Sequence, residues 1–281
     1  MESRRPTLGL GLCLRPNGLG PHTESKMDSP LPAWVYTGLG AAAGLGLAWG
    51  GYMYASLWPG STIFGWALTA PPRPGELALT FDDGPNPAWT PRLLDLLAAN
   101  DVRATFFLIG QFAQAEPELV RRIAGAGHAI GNHSWSHPNL AQTAAAKIRE
   151  ELTRTSSALE QIVGQPVRLF RPPYGARGPT TFKIARSLGL TPVLWNAMTS
   201  DWSEPSANRI ASALSRKIDR LTLRGQAANI VLHDGGHRGL GANRGPSVNA
   251  AALLIARYKQ THRFVTVDEW NRAAEGLAAR S

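Results

Sequence analysis

From Glu76 onward the chain repeats one pattern. A short apolar run is followed by a turn, then by a stretch whose apolar positions fall three and four residues apart. That alternation of strand and helix periods predicts repeated strand–helix units. The runs ELALTFD (76–82), ATFFLIG (104–110), HAIGNH (128–133), VRLFR (167–171), TPVLW (191–195), ANIVLH (228–233) and FVTV (264–267) are the expected strands. Between them, Thr90 is expected to cap a helix carrying Leu93, Leu94, Leu96 and Leu97. Pro117 to Ala126 and Thr143 to Val163 are further expected helices. About seven such units place the chain in the α/β class, as a parallel barrel or a doubly wound sheet.

Upstream the pattern changes. No charged residue occurs between Asp28 and Arg73. Within that gap residues 33–58 read as one apolar helix, and a helix of about 26 residues rises roughly 39 Å, enough to span a bilayer. Trp34 and Tyr36 at one end, and Tyr52, Tyr54 and Trp58 at the other, have the placing of interfacial aromatics. The expectation is a tail over 1–32 and a single transmembrane helix over 33–58 acting as a signal anchor. A linker over 59–75 and a catalytic domain over 76–281 follow. Arg4, Arg5, Arg15 and Lys26 precede the helix, which places the domain on the outer, extracytoplasmic side.

Composition excludes a disordered chain, a coiled coil and a disulfide scaffold: 43% of residues are hydrophobic and Cys13 is the single cysteine. The net charge of +9 first suggests nucleic acid or an anionic membrane as partner. Residues 1–75 hold 5 basic and 3 acidic side chains and residues 76–281 hold 24 and 17, so most of the excess belongs to the domain. No aromatic–basic repeat or recognition motif accompanies it, and no nucleic acid is expected as a partner.

The unusual polar clusters fall at the C-terminal ends of the expected strands. Asp82 and Asp83 end the first, His133 and His137 follow the third, and Arg171 ends the fourth. Asp201 and Trp202 follow the fifth, and His233 ends the sixth. Barrel enzymes draw their chemistry from several strands at this rim, whereas a doubly wound sheet concentrates it at one switch point, so the barrel is the better reading. His133 and His137, four residues apart, would face one metal if they lay on one helical turn. Two imidazoles and one carboxylate make a three-ligand site with open positions, suited to a hydrolytic Zn²⁺ or to non-haem Fe²⁺. With Asp83 as the third ligand, Asp82 is left as a general base and His233 as a general acid. Arg171 would hold Asp82 ionised, and Asp201 would favour the protonated form of His233.

Thr80-Phe-Asp-Asp-Gly-Pro85, His133-Ser-Trp-Ser-His137, Arg171-Pro-Pro-Tyr-Gly175, Asp201-Trp202 and Leu232-His233-Asp-Gly235 occur in this order. They resemble the five motifs of the polysaccharide deacetylase family (NodB homology, carbohydrate esterase family 4), and the likeness runs over about residues 76–275. The resemblance implies a distorted (β/α)7 barrel. Asp82 would be the catalytic base and His233 the acid, with Arg171 and Asp201 as their partners. Asp83, His133 and His137 would be the metal ligands. Tyr174 would offer its backbone N–H to the oxyanion, and Trp202 and Leu232 would line the acetyl-methyl pocket. Two positions depart from the pattern. Met198 stands where an acid is common, and Val231 where Leu is usual.

The expected function is a membrane-anchored, metal-dependent deacetylase that hydrolyses N-acetyl groups of peptidoglycan or another N-acetylglucosamine polymer and releases acetate. Its cofactor would be one divalent ion, Zn²⁺ first, with Co²⁺ or another divalent ion as alternatives. Chitin-like oligomers or a lipid-linked sugar are the alternative substrates, and a non-catalytic glycan-binding module is the alternative role. His128 is expected to be structural. Glu150 and Glu151 are read as a solvated helix face, and His237 as a loop residue near the rim.

Overall fold

A computed structural model describes residues 33–278, with side chains over 42–276. The expected tail over 1–32, including Cys13, lies outside the described residues. The chain divides into two units, Met1–Leu47 and Ala48–Ser281.

The first element, α1 (Ala33–Leu57), forms where the membrane helix is expected, but among the described residues no helix is long and apolar enough to cross a membrane. Six glycines lie within the helix and add no side chain to bury. Its last turns pack instead within the second unit. Ala55 and Ser56 are buried there, and the Tyr52 hydroxyl donates to the Ala141 carbonyl at 2.8 Å.

The strands that follow are β1 (Glu76–Gly84), β2 (Thr105–Leu108), β3 (Ala129–Asn132), β4 (Leu169–Phe170), β5 (Thr191–Pro192), β6 (Ala197–Met198), β7 (Ala228–His233) and β8 (Arg263–Phe264). The helices between them are α2 (Thr90–Ala99), α3 (Gly110–Ala115), α4 (Pro117–Gly125), α5 (Ala145–Val163), α6 (Thr181–Ser187), α7 (Ala207–Leu223) and α8 (Gly245–Tyr258), with α9 (Val267–Ala278) last. The sheet order is β5-β4-β3-β2-β1-β7-β6, with β8 added beside β1, and every pairing is parallel. The result is an α/β fold on one curled parallel sheet, an incomplete barrel consistent with the (β/α)7 expectation.

Strand periodicity sorts the side chains into two layers. Leu77, Leu79 and Phe81 of β1 join Phe106, Leu108, Ile230 and Leu232 in a core with Leu93, Leu97, Leu214, Ile218, Leu254 and Ile255 of the helices. Ala78 and Phe107 point to the other side and pack with Leu169 and Val193. Thr80 and Asp82 follow Ala78 on that inner face, as Val231 and His233 follow Asn229.

Three local expectations change. The run 191–195 shortens to β5, with β6 forming just beyond it, and its middle pairs with the segment read as a linker. Leu68 donates to Pro192 O at 2.8 Å and Leu194 donates to Leu68 O at 2.9 Å. The run 264–267 stops at Phe264, because Thr266 and Glu269 make a reciprocal capping box that starts α9. Thr90 is not the cap of α2 but its first residue. Its hydroxyl accepts the Asn86 N–H at 2.8 Å and donates to the buried carboxylate of Asp234.

Candidate active site

β1 and β7 run side by side, and in their register Asp82 is the partner of His233. The ladder therefore brings the expected base and the expected acid to one rim. Arg171, one residue past β4, reaches them from across the inner face. Its Nη1 lies 2.7 Å from Asp82 Oδ1 and 2.6 Å from Thr80 Oγ1, and its Nη2 lies 3.3 Å from Asn229 Oδ1. The guanidinium is fully buried, 4.1 Å over the Phe107 ring. Burial lowers its pKa and the Asp82 charge opposes that, so the pair is stable only together.

Asp83 turns the other way. It sits at φ +68, in the left-handed region, and its carboxylate faces two imidazoles. Asp83 Oδ1 lies 3.3 Å from His133 Nε2 and 3.1 Å from His137 Nε2. All three residues are buried, and one ligand atom from each lies within 4.8 Å of the others. Burial pushes the Asp83 pKa up, but hydrogen bonding to His133, His137 and His237 holds it well below the usual carboxylate range. His133 Nδ1 is 2.8 Å from the Arg171 carbonyl. A carbonyl only accepts, so the proton is on Nδ1 and the Nε2 lone pair is free for a cation. A buried carboxylate oxygen without another partner, between two Nε2 atoms, fits a divalent ion of the borderline class.

His133 and His137 do not lie on a helical turn. They belong to a loop in which Ser134 and His137 have φ of +62 and +61. Side chains replace the missing helix. Asn132 Oδ1 accepts Ser134 N–H at 2.8 Å, and Ser134 Oγ accepts His137 N–H at 3.1 Å. Glu151 Oε2 accepts the N–H groups of Trp135 and Ser136 at 2.8 Å each, and its Oε1 takes the Ser136 hydroxyl at 2.9 Å. Glu151 is thus no part of a solvated face, although Glu150 is exposed. Its phase was readable: Ile148, Leu152 and Thr155 form the buried stripe of α5, and Glu151 falls on it.

His233 Nδ1 is 2.9 Å from Asp201 Oδ1, and its backbone N–H donates to Asp201 Oδ2 at 2.9 Å. Ser247 Oγ, from α8, donates to the same Oδ2 at 2.7 Å. Burial alone would lower the His233 pKa; the Asp201 charge and hydrogen bond, with Asp83 and Asp82 behind, raise it to about 9. Neither Ser247 nor Asn229 carried a signal, because each is an ordinary polar residue outside the motifs, and Thr80, though it opens the first motif, has no legible role there.

These groups open on one cavity of about 350 Å³. Tyr174 and Gly175 enter it on a tight turn with φ of +59 and +66, where a Cβ on Gly175 would lie 2.7 Å from the Trp195 ring. Trp195, Met198, Trp202 and Val231 supply its apolar wall. Leu232, expected in that wall, is fully buried in the sheet–helix core. Alternation along β7 turns it away and presents Val231 and His233 instead. His237 comes over the mouth: its ring stacks on His137 at 4.7 Å and its Nδ1 is 3.8 Å from Asp83 Oδ2. His128 is buried below the site, where its Nδ1 accepts the Ala104 N–H at 3.2 Å, a structural role as expected.

Comparison with known proteins places this geometry. Residues 69–193 match the family model described as polysaccharide deacetylase. A peptidoglycan-N-acetylglucosamine deacetylase of Bacillus cereus is 40% identical over 149 residues, which are 53% of this chain and 54% of that protein. The chain thus spans about half the length of that relative. A chitooligosaccharide deacetylase of Azorhizobium caulinodans is 35% identical over 175 residues, 62% of this chain and 80% of the relative. Among solved structures, the Bc1960 peptidoglycan N-acetylglucosamine deacetylase superposes with a TM-score of 0.64 at 35% identity, covering 72% of this chain and 91% of that one.

Proposed function

We propose that this chain, which belongs to the polysaccharide deacetylase family, is a metal-dependent hydrolase that removes N-acetyl groups from a glycan of peptidoglycan or chitooligosaccharide type. The observation that carries the reading is the convergence of three buried pairings on one cavity. These are Asp82 with Arg171, Asp83 with two imidazoles, and His233 with Asp201.

Asp83, His133 and His137 would hold the cation. A divalent ion bound there supplies Lewis acidity, lowering the pKa of a water and polarising a carbonyl, and Zn²⁺ or Co²⁺ suits the donor set. The rest of the chemistry belongs to the chain. Asp82, fixed by Arg171, takes a proton from the attacking water. Tyr174, on the turn that lines the cavity, would offer its backbone N–H where the amide oxygen gains charge. His233, kept protonated by Asp201, delivers a proton to the departing amine. Trp195, Met198, Trp202 and Val231 form an apolar pocket for the acetyl methyl. The products are acetate and a free amino sugar.

We place the enzyme outside the cytoplasmic membrane, where such polymers lie. Protease treatment of intact cells, which should cut it, checks that location. The activity is tested by acetate release from N-acetylglucosamine oligomers and from peptidoglycan with Zn²⁺ or Co²⁺ added. Release from neither substrate overturns the reading.

A further inference from the structure

Beside the catalytic cavity lies a second one, of about 380 Å³, bounded by Trp202, His237, Arg238 and Arg244. The two share Trp202, His237 and Arg244, so they are adjoining parts of one groove. Their chemistry differs. The catalytic cavity holds Asp82 and Asp83, whereas the second has two arginines and no acidic side chain among its lining residues.

The two arginines do different jobs. Arg244 is a staple: its Nε donates to Gly235 O at 2.5 Å, and its Nη1 donates to Asn243 O at 3.1 Å and Trp202 O at 3.4 Å. Gly236 lies against it, since a Cβ there would meet Arg244 Nη2 at 2.9 Å. Arg238 is exposed, and among the described residues it has no carboxylate within ion-pair distance. Arg238 nevertheless lines the groove, in the second cavity with Trp202 and His237. An exposed guanidinium that lines one cavity with an aromatic side chain, and has no ion-pair partner among the described residues, matches a planar carboxylate on a sugar.

Resting on the deacetylase reading above, we propose that the cavity at Arg238 is a subsite for a carboxylate-bearing neighbour of the deacetylated sugar. The preferred substrate is then an acidic glycan strand of peptidoglycan type rather than a neutral chito-oligosaccharide. When one acetamide occupies the catalytic cavity, the next unit of a linear glycan falls over the adjoining one. Its carboxylate meets Arg238 while Trp202 flanks the ring.

The test compares three glycans on the full chain with the same added metal. One is a peptide-free strand whose lactyl carboxylates are free, one is a strand bearing stem peptides, and one is a neutral N-acetylglucosamine oligomer. The wild type should prefer an acidic strand in kcat/KM, and salt should erode that preference. Arg238→Gln should reduce the acidic-over-neutral ratio by about tenfold, through KM rather than kcat, as expected for one lost charge-assisted bond. Arg238→Lys should keep most of the ratio. Preference for the peptide-free strand assigns the lactyl carboxylate, and preference for the peptide-bearing one assigns the peptide carboxylates. Turnover of the neutral oligomer in the same preparation reports that the variant is folded. A ratio unchanged in Arg238→Gln, or a wild type that favours the neutral oligomer, overturns the subsite and leaves the deacetylase reading standing. Acetate release from none of the three overturns both.

Discussion

Asp82 and Asp83 are adjacent in sequence but have opposite tasks, and backbone conformation separates them. Asp82 keeps the strand geometry and meets Arg171, while the left-handed turn at Asp83 aims the next carboxylate at His133 and His137. Asp82→Asn should therefore lower kcat by about 10²–10⁴. Metal content should stay near one ion per chain, as measured by acetate release and elemental analysis. The acid makes a prediction in pH. His233 is competent while protonated, and its pKa is raised to about 9, so activity should persist through neutrality and fall as pH climbs toward that value. A bound dication repels the imidazolium and draws the midpoint below it. Asp201→Asn removes the charge that raises the pKa and should move the alkaline limb down by about 1–3 pH units in a kcat/KM profile.

At the scale of elements, the loop between β3 and α5 replaces a helix by side-chain bonds, and Glu151 supplies three of them. Glu151→Gln keeps the shape but weakens the acceptors for two backbone N–H groups. It should cost about 1–3 kcal/mol of stability and about 10–100-fold in metal affinity. Chemical denaturation and chelator competition would measure the two. This loop also marks where sequence reading stopped. The spacing of His133 and His137 is compatible with a helical turn, and only the positive φ of Ser134 and His137 distinguishes the loop. The motifs themselves were legible because each ends a strand, and parallel register carries strand ends to one rim. The partners were not. Thr80 and Asn229 share strands with Asp82 and His233 but meet Arg171 across the inner face, and Ser247 comes from α8, through packing that a linear pattern does not encode. Leu232 failed for a related reason: its motif neighbour His233 faces the cavity, so period two turns Leu232 away.

For the whole molecule, the compact unit that holds the site begins at Ala48, ahead of the domain start expected at Glu76. Arg177 explains why. It is fully buried, and its guanidinium donates to the carbonyls of Ser56 at 3.2 Å, Trp58 at 2.7 Å, Ser61 at 3.0 Å and Gly175 at 3.2 Å. The last of these belongs to the turn that carries Tyr174, so one cation joins the end of α1 to the catalytic rim. A chain cut to begin at Ala48 keeps every acceptor and should melt within about 2 °C of the full chain, since among the described residues it loses no buried bond. One cut to begin at Thr62 removes three of the four and leaves a buried charge unpaired. That loss should cost about 3 kcal/mol, or about 6–12 °C in Tm for a domain of this size. It should also lower kcat by loosening the Tyr174 turn. Thermal melts and acetate release on the two truncations decide the matter: equal melting temperatures would mean that the segment from Ser56 to Ser61 is dispensable packing and that the edge of the enzyme lies at Thr62 or beyond.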